Sequence, residues 1–227
     1  LPMVSVRSVG QTPDGFVWFG TFDGVGRFDG KRIEPYSKRN TSGLLHDWFV
    51  SQLCDSTGAL WIGTEKGAMR FADRKWTAFD SLRDWDAGGP VFFIAELPGN
   101  RLVFSTETSI VHWDGKHFSK LPDPPRPKND RAAPRLVVTT DGNLRSVTGD
   151  SVARFDNNSW VPEFHTTGPN IQFLKAAPSR DNGIWIFTRD GILKVREGKA
   201  IQNLPIPASF YGDEAILLED RRGNLWA

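Results

Sequence analysis

A seven-residue stretch, Gly58-Ala59-Leu60-Trp61-Ile62-Gly63-Thr64, recurs along the chain at a nearly constant step. That recurrence constrains the fold more than any other feature, because like units at a fixed period stack against one another. The turn position that opens each copy falls at Gly15, Gly58, Asn100, Gly142, Asn182 and Gly223, at intervals of 43, 42, 42, 40 and 41. Three residues on lie Trp18, Trp61, Val103, Arg145, Trp185 and Trp226, and six on lie Thr21, Thr64, Thr106, Thr148 and Thr188. Two further apolar columns keep the step: Phe28, Phe71, Trp113, Phe155, Val195, and Ile33, Trp76, Phe118, Trp160, Ile201.

Within the second unit, short alternating runs are separated by turn residues. Phe49–Leu53, Ala59–Thr64, Ala68–Phe71 and Lys75–Phe79 read as strands, with turns at Asp55–Gly58 and Glu65–Gly67. Asp23-Gly24 and Asp190-Gly191 suit tight turns between second and third strands, and Asp29-Gly30 and Asp114-Gly115 between third and fourth. No stretch sustains a 3.6-residue period, so helix is expected to be nearly absent. Four strands in about 42 residues match a propeller blade. The expected fold is all-β: a β-propeller of four-stranded antiparallel blades over a single region, 1–227. It has five full repeats (4–48, 49–89, 90–133, 134–171, 172–214) and a partial sixth (215–227). Propellers have about 4–8 blades, so the chain reads as a piece of a larger ring of about seven, prone to associate through unpaired edges.

The runs Pro13-Asp14-Gly15-Phe16-Val17-Trp18-Phe19-Gly20-Thr21 with Arg27-Phe28-Asp29-Gly30, and Asp55 to Thr64 with Arg70-Phe71, resemble the two-component regulator propeller repeat. The fifth unit fits as well. The third and fourth depart from the pattern, with Val103 and Arg145 at the tryptophan position. The resemblance implies an extracytoplasmic, periplasmic sensor region of a bacterial hybrid two-component or diguanylate cyclase regulator. It further implies output domains elsewhere in the parent chain and a carbohydrate or other small molecule as ligand.

The formal net charge of +1 gives no electrostatic footprint for nucleic acid. No run approaches the roughly 18 apolar residues of a membrane span, so no membrane contact is expected in this segment. The single cysteine, Cys54, follows an apolar run and reads as a buried structural thiol. The histidines, His46, His112, His117 and His165, are scattered over the repeats and form no metal motif. Asp23, Asp150 and Asp190 occupy equivalent turns and belong to the repeat. No catalytic residue, metal or cofactor is expected, and the segment reads as non-enzymatic.

The tryptophan column should fill the wedges between blades, and the threonine hydroxyls should satisfy backbone groups at turns. Arg145, a charge at a tryptophan position, should reach solvent or an acid such as Asp150. The Pro-rich segment Leu121–Arg131 reads either as a solvated connector or as a stiff wall of a binding face. In a propeller, the connections from one blade to the next gather with the turns between second and third strands. There, His46, Asp47, Trp48, Arg83, Trp85, Asp86, Arg131, Tyr211 and Asp213 are the candidate ligand-binding residues: rings for stacking, charged groups for hydroxyls. Two alternatives remain, a protein-interaction scaffold, for which a homodimer would speak, and a propeller lyase.

Overall fold

The alternating runs pair as hairpins into four-stranded antiparallel meanders. The computed structural model describes residues 5–80, 83–85, 88–127, 130, 132–166, 173–206 and 217–226. The first sheet contains β1 (Val6–Gln11), β2 (Val17–Thr21), β3 (Gly24–Phe28) and β4 (Ile33–Tyr36). The second contains β5 (Phe49–Cys54), β6 (Leu60–Thr64), β7 (Gly67–Ala72) and β8 (Lys75–Asp80). The third contains β9 (Phe93–Leu97), β10 (Arg101–Ser105), β11 (Ile110–Trp113) and β12 (Phe118–Leu121). The fourth contains β13 (Arg135–Val138), β14 (Leu144–Thr148), β15 (Ser151–Asp156) and β16 (Ser159–His165). The fifth contains β17 (Phe173–Pro178), β18 (Ile184–Thr188), β19 (Gly191–Arg196) and β20 (Lys199–Pro205), and β21 (Leu218–Glu219) and β22 (Leu225–Trp226) form a two-stranded sheet. No helix occurs among the described residues.

The chain forms two compact units, Leu1–Leu121 and Pro122–Ala227. In the first, β1 lies against β5 and β5 against β9; in the second, β13 lies against β17 and β17 against β21. First strands of successive sheets are thus neighbours within each unit.

The turn column explains its own composition. Gly15, Gly58, Gly142 and Gly223 have φ of 88°, 87°, 79° and 83°, and Asn100 and Asn182 have 57° and 64°. All six occupy the left-handed region, where glycine is free of strain and asparagine is the best-tolerated substitute. Gly63 answers a different need. A Cβ there would stand 2.3 Å from the Val91 carbonyl oxygen at the edge of the next sheet, so glycine permits that close approach.

The tryptophan column is buried as expected at Trp18, Trp61 and Trp185, at 0%, 1% and 5% exposure, whereas Trp226 is exposed. Each buried ring is a wedge between sheets. Trp18 meets Phe71 and Trp76 of the second sheet at 5.0 and 6.1 Å between centroids. Trp61 meets Phe104 and Trp113 of the third at 5.5 and 6.2 Å. Such pairs add about 0.5–1.5 kcal/mol each beyond burial. The indole N–H also finds an acceptor in every case: Trp18 Nε1 donates to Thr12 Oγ1 (3.0 Å), Trp61 Nε1 to Asp55 Oδ2 (2.8 Å) and Trp185 Nε1 to Glu219 Oε2 (2.6 Å).

The threonine column behaves as anticipated, with one change of partner. Thr21, Thr64, Thr106 and Thr188 donate to the carbonyl three residues on, at 2.8, 3.0, 3.2 and 2.9 Å. Thr148 donates instead to the Pro125 carbonyl at 2.8 Å. Trp160 Nε1 donates to the Pro122 carbonyl at 2.7 Å, so the Pro-rich segment is tied to the fourth sheet at two points. Phe71↔Trp76, Trp113↔Phe118 and Phe155↔Trp160 are cross-strand partners, but Val195 faces Ala200. A bulge between Lys194 and Val195 leaves Ile201 out of register and 46% exposed. Cys54 is half-buried rather than buried, and burial, with the Asp55 charge beside it, pushes its thiol up and away from reactive thiolate.

Candidate functional site

In the first unit, three of the residues expected on the loop face, His46, Asp47 and Trp48, lie together around the end of β2 and the start of β5. Gly24 N donates to the Asp47 carbonyl (2.9 Å), and Lys38 N donates to Asp47 Oδ1 (2.6 Å). Asp47 is therefore occupied in shaping the loop and presents no free carboxylate oxygen pair. Trp48 N donates to His46 Nδ1 at 3.1 Å, and His46 Nε2 lies 3.0 Å from Glu65 Oε2 in the turn between β6 and β7. An imidazole that accepts at Nδ1 carries its proton on Nε2, facing the carboxylate.

This frame holds the Trp48 ring 43% exposed, edge-on to Phe22 with centroids 5.1 Å apart. The Arg7 guanidinium sits over the Phe22 ring at 4.7 Å. Asp23, next in the chain, pairs with Arg39 at 3.5 Å. The result is an aromatic ledge flanked by charged groups of both signs. Sequence reasoning missed Phe22. A signal was present: the other repeats place Glu65, Glu107, Gly149 and Arg189 at that turn position, so an apolar ring there departs from the repeat.

Elsewhere the candidates disperse. Trp85 is 6% exposed and packs against Phe104 and Phe118 at 5.3 and 4.6 Å, so its ring serves the core and does not face a ligand. Asp84 N donates to the Asp80 carbonyl (2.8 Å) and Asp80 N to Asp84 Oδ2 (2.7 Å), which holds Asp84, next to Trp85 in the chain, against the end of β8. Arg83 is exposed and bonds Asp84 at 2.9 Å, holding that carboxyl below the usual range. Asp86, Arg131, Tyr211 and Asp213 lie outside the described residues. In the second unit His165 Nε2 pairs with Asp150 Oδ2 at 3.1 Å.

Arg145 is buried and does not use Asp150. Its Nε donates to Glu163 Oε2 at 2.8 Å, its Nη1 bonds Thr139 Oγ1 and lies 3.5 Å from Asp141. Glu163 also receives Arg154 Nε at 3.1 Å. Burial pushes the Asp141 carboxyl up, but hydrogen bonds from Thr139 and Asn143, with the Arg145 charge, outweigh it and hold the group at about 2. Arg145 donates to the turn residue six positions back, as Trp18 and Trp61 do. Its role is structural. Among the described residues no group of three or more His, Cys, Asp or Glu could hold a metal.

Four-stranded antiparallel blades repeated at this step, with wedge tryptophans between them, make the chain a β-propeller in fold. Known structures agree. Virginiamycin B lyase from Staphylococcus aureus superposes with a TM-score of 0.71 at 15% identity, over 89% of this chain and 70% of that one. The extracellular domain of a hybrid two component system from B. thetaiotaomicron gives 0.60 at 16% identity, over 97% of this chain and 38% of that domain. Regucalcin from Agrobacterium tumefaciens gives 0.64 at 14% identity, over 91% and 76%. At these identities the likeness concerns the fold. No protein-family model matches the sequence, nor does any curated protein sequence.

Proposed function

We propose that this chain is the ligand-binding propeller of a bacterial sensor and acts outside the cytoplasm. In this reading it takes a carbohydrate or other small molecule on the loop face and passes occupancy to output domains of its parent chain. The observation that carries it is the half-exposed Trp48 ring, fixed edge-on to Phe22 and flanked by the His46–Glu65 and Asp23–Arg39 pairs. An apolar ring face stacks on the C–H face of a sugar, and charged groups at its rim bond hydroxyls. The motif resemblance and the extracellular two-component neighbours support the reading. The segment binds and does not turn its ligand over. The test is a glycan array followed by calorimetric titration of the hits against the full chain and Trp48→Ala. The expected result is at least a tenfold loss of affinity, about 1.4 kcal/mol, in the variant, with the ligand recovered unchanged. No glycan binding, or equal affinity in Trp48→Ala, overturns the proposal.

A further inference from the structure

Sheets one and two also form an open cleft of about 330 Å³ at the opposite strand ends from Trp48, between the turn that precedes β2 and the turn that joins β7 to β8. That size is at the small end of ligand pockets, about 300–1,000 Å³. Phe16 and Phe71 supply apolar wall, and Asp14, Arg27, Asp73 and Arg74 supply charge.

One of these residues departs from what the repeat needs, whereas Arg27 holds a position where other units carry Arg70 and Arg154. At the position of Phe16 the other units carry Ala59, Arg101, Asn143, Gly183 and Asn224, so blade construction does not ask for a ring there. Arg27 stacks on that ring, its guanidinium 3.4 Å from the centroid. Its terminal nitrogens lie 3.4 Å from Asp14 and 3.6 Å from Glu34, and its Nε is buried with no acceptor. Asp14 beside it offers acceptor oxygens, and the charges of Arg27, Arg74, Asp14 and Asp73 cancel, which gives no preference for an ion. A paired donor and acceptor next to an apolar ring suit vicinal hydroxyls on a ring with a C–H face.

From this juxtaposition we propose a second binding site, in the cleft between sheets one and two, for a single uncharged polyhydroxylated ring of one-sugar size. It is independent of the Trp48 ledge. Saturation-transfer NMR on the full chain tests it with glucose, galactose and mannose as probes, and with glucuronate and benzoate as carboxylate controls. The neutral sugars should bind in the millimolar range and more tightly than the carboxylates. In a Trp48→Ala background, which removes the loop-face ledge, the neutral sugars should still bind, and adding Ala72→Phe, which places a ring in the cleft, should abolish the signal. Should Ala72→Phe fail to fold, Phe16→Ser on the turn should weaken binding at least fivefold. No neutral sugar binding, tighter carboxylate binding, or full binding in the folded cleft variants overturns the site. Loss in Trp48→Ala alone assigns the sugar to the loop face and likewise overturns it.

Discussion

Glu163 holds the buried charge of the fourth sheet in balance, and removing it should be the most informative single change in the second unit. Its carboxylate takes Arg145 Nε at 2.8 Å and Arg154 Nε at 3.1 Å. Arg145 keeps only 10% of its side-chain exposure and Glu163 22%. Breaking a fully buried pair from one side costs about 3–5 kcal/mol. Glu163 is partly hydrated and Asp141 stays 3.5 Å from Arg145, so the expected loss for Glu163→Ala is about 2–3 kcal/mol. For a chain of this size that corresponds to a melting temperature lower by about 5–10 °C. Most of that loss is the penalty of an uncompensated charge, so removing the charge should restore it. Arg145→Met in the Glu163→Ala background should therefore be more stable than Glu163→Ala alone. Thr139 keeps its own acceptors, Asp141 Oδ1 at 2.6 Å and the Asn143 carbonyl, and Arg154 keeps Asp156 at 3.2 Å. Calorimetry of the two variants and the parent decides the matter. A shift below 2 °C for Glu163→Ala, or no recovery in the double variant, would refute the assignment of Glu163 as the neutralising partner.

Three other outcomes are expected. Trp61→Ala removes a ring packed between the second and third sheets and should cost about 3–5 kcal/mol, read by urea denaturation; Trp61→Phe keeps the packing but strands Asp55 Oδ2 and should cost about 1–3 kcal/mol. Burial, with the Arg101 charge, lowers the pKa of His112, so its folded value lies below the unfolded 6.5. Its contribution to stability is present above pH 6.5 and is lost as pH falls toward the folded value, because the unfolded chain binds the proton first; in His112→Asn, melting temperature should fall less between pH 7 and 5 than in the parent. Asn100→Gly, at a φ of 57°, should leave stability unchanged or raise it slightly, whereas Gly58→Val at 87° should lower it by about 1–2 kcal/mol.

The repeat made most of the architecture readable. A column of residues at one step reports a shared backbone need, and the Gly/Asn turn column, the wedge tryptophans and the threonine hydroxyls each do one job several times. What escaped reading depends on local breaks in that regularity. Glu163 is the extra residue where β16 bulges between the partners of Val152 and Ala153, so simple alternation does not point its side chain at Arg145. Ile201 is displaced by a similar bulge in β20. Trp48 and Trp85 occupy similar places in sequence, yet the ring beside the hydrogen-bonded turn at Asp80–Asp84 is buried while the His46 frame presents the other. Phe16 and Phe22, which build the two proposed sites, were visible only as aromatic rings where sister repeats carry none.

The glutamates at the ends of first strands have a further consequence. Glu96 reaches back to accept from Ser56 N, at 2.9 and 3.0 Å to its two oxygens, and from the Ser56 hydroxyl of the preceding sheet. Glu219, at the equivalent place, accepts from Ser179 Oγ, Arg180 N and Trp185 Nε1. Each sheet so held has part of its own turn completed by its successor. Such an array behaves as a one-dimensional lattice with nearest-neighbour coupling. Loosening β9 or β21 should thus deprotect amides one period upstream, at Ser56 or Arg180, before it disturbs the sheet to which the loosened strand belongs. Amide exchange in Glu96→Ala would show that backward step as faster exchange at Ser56, some forty residues from the substitution.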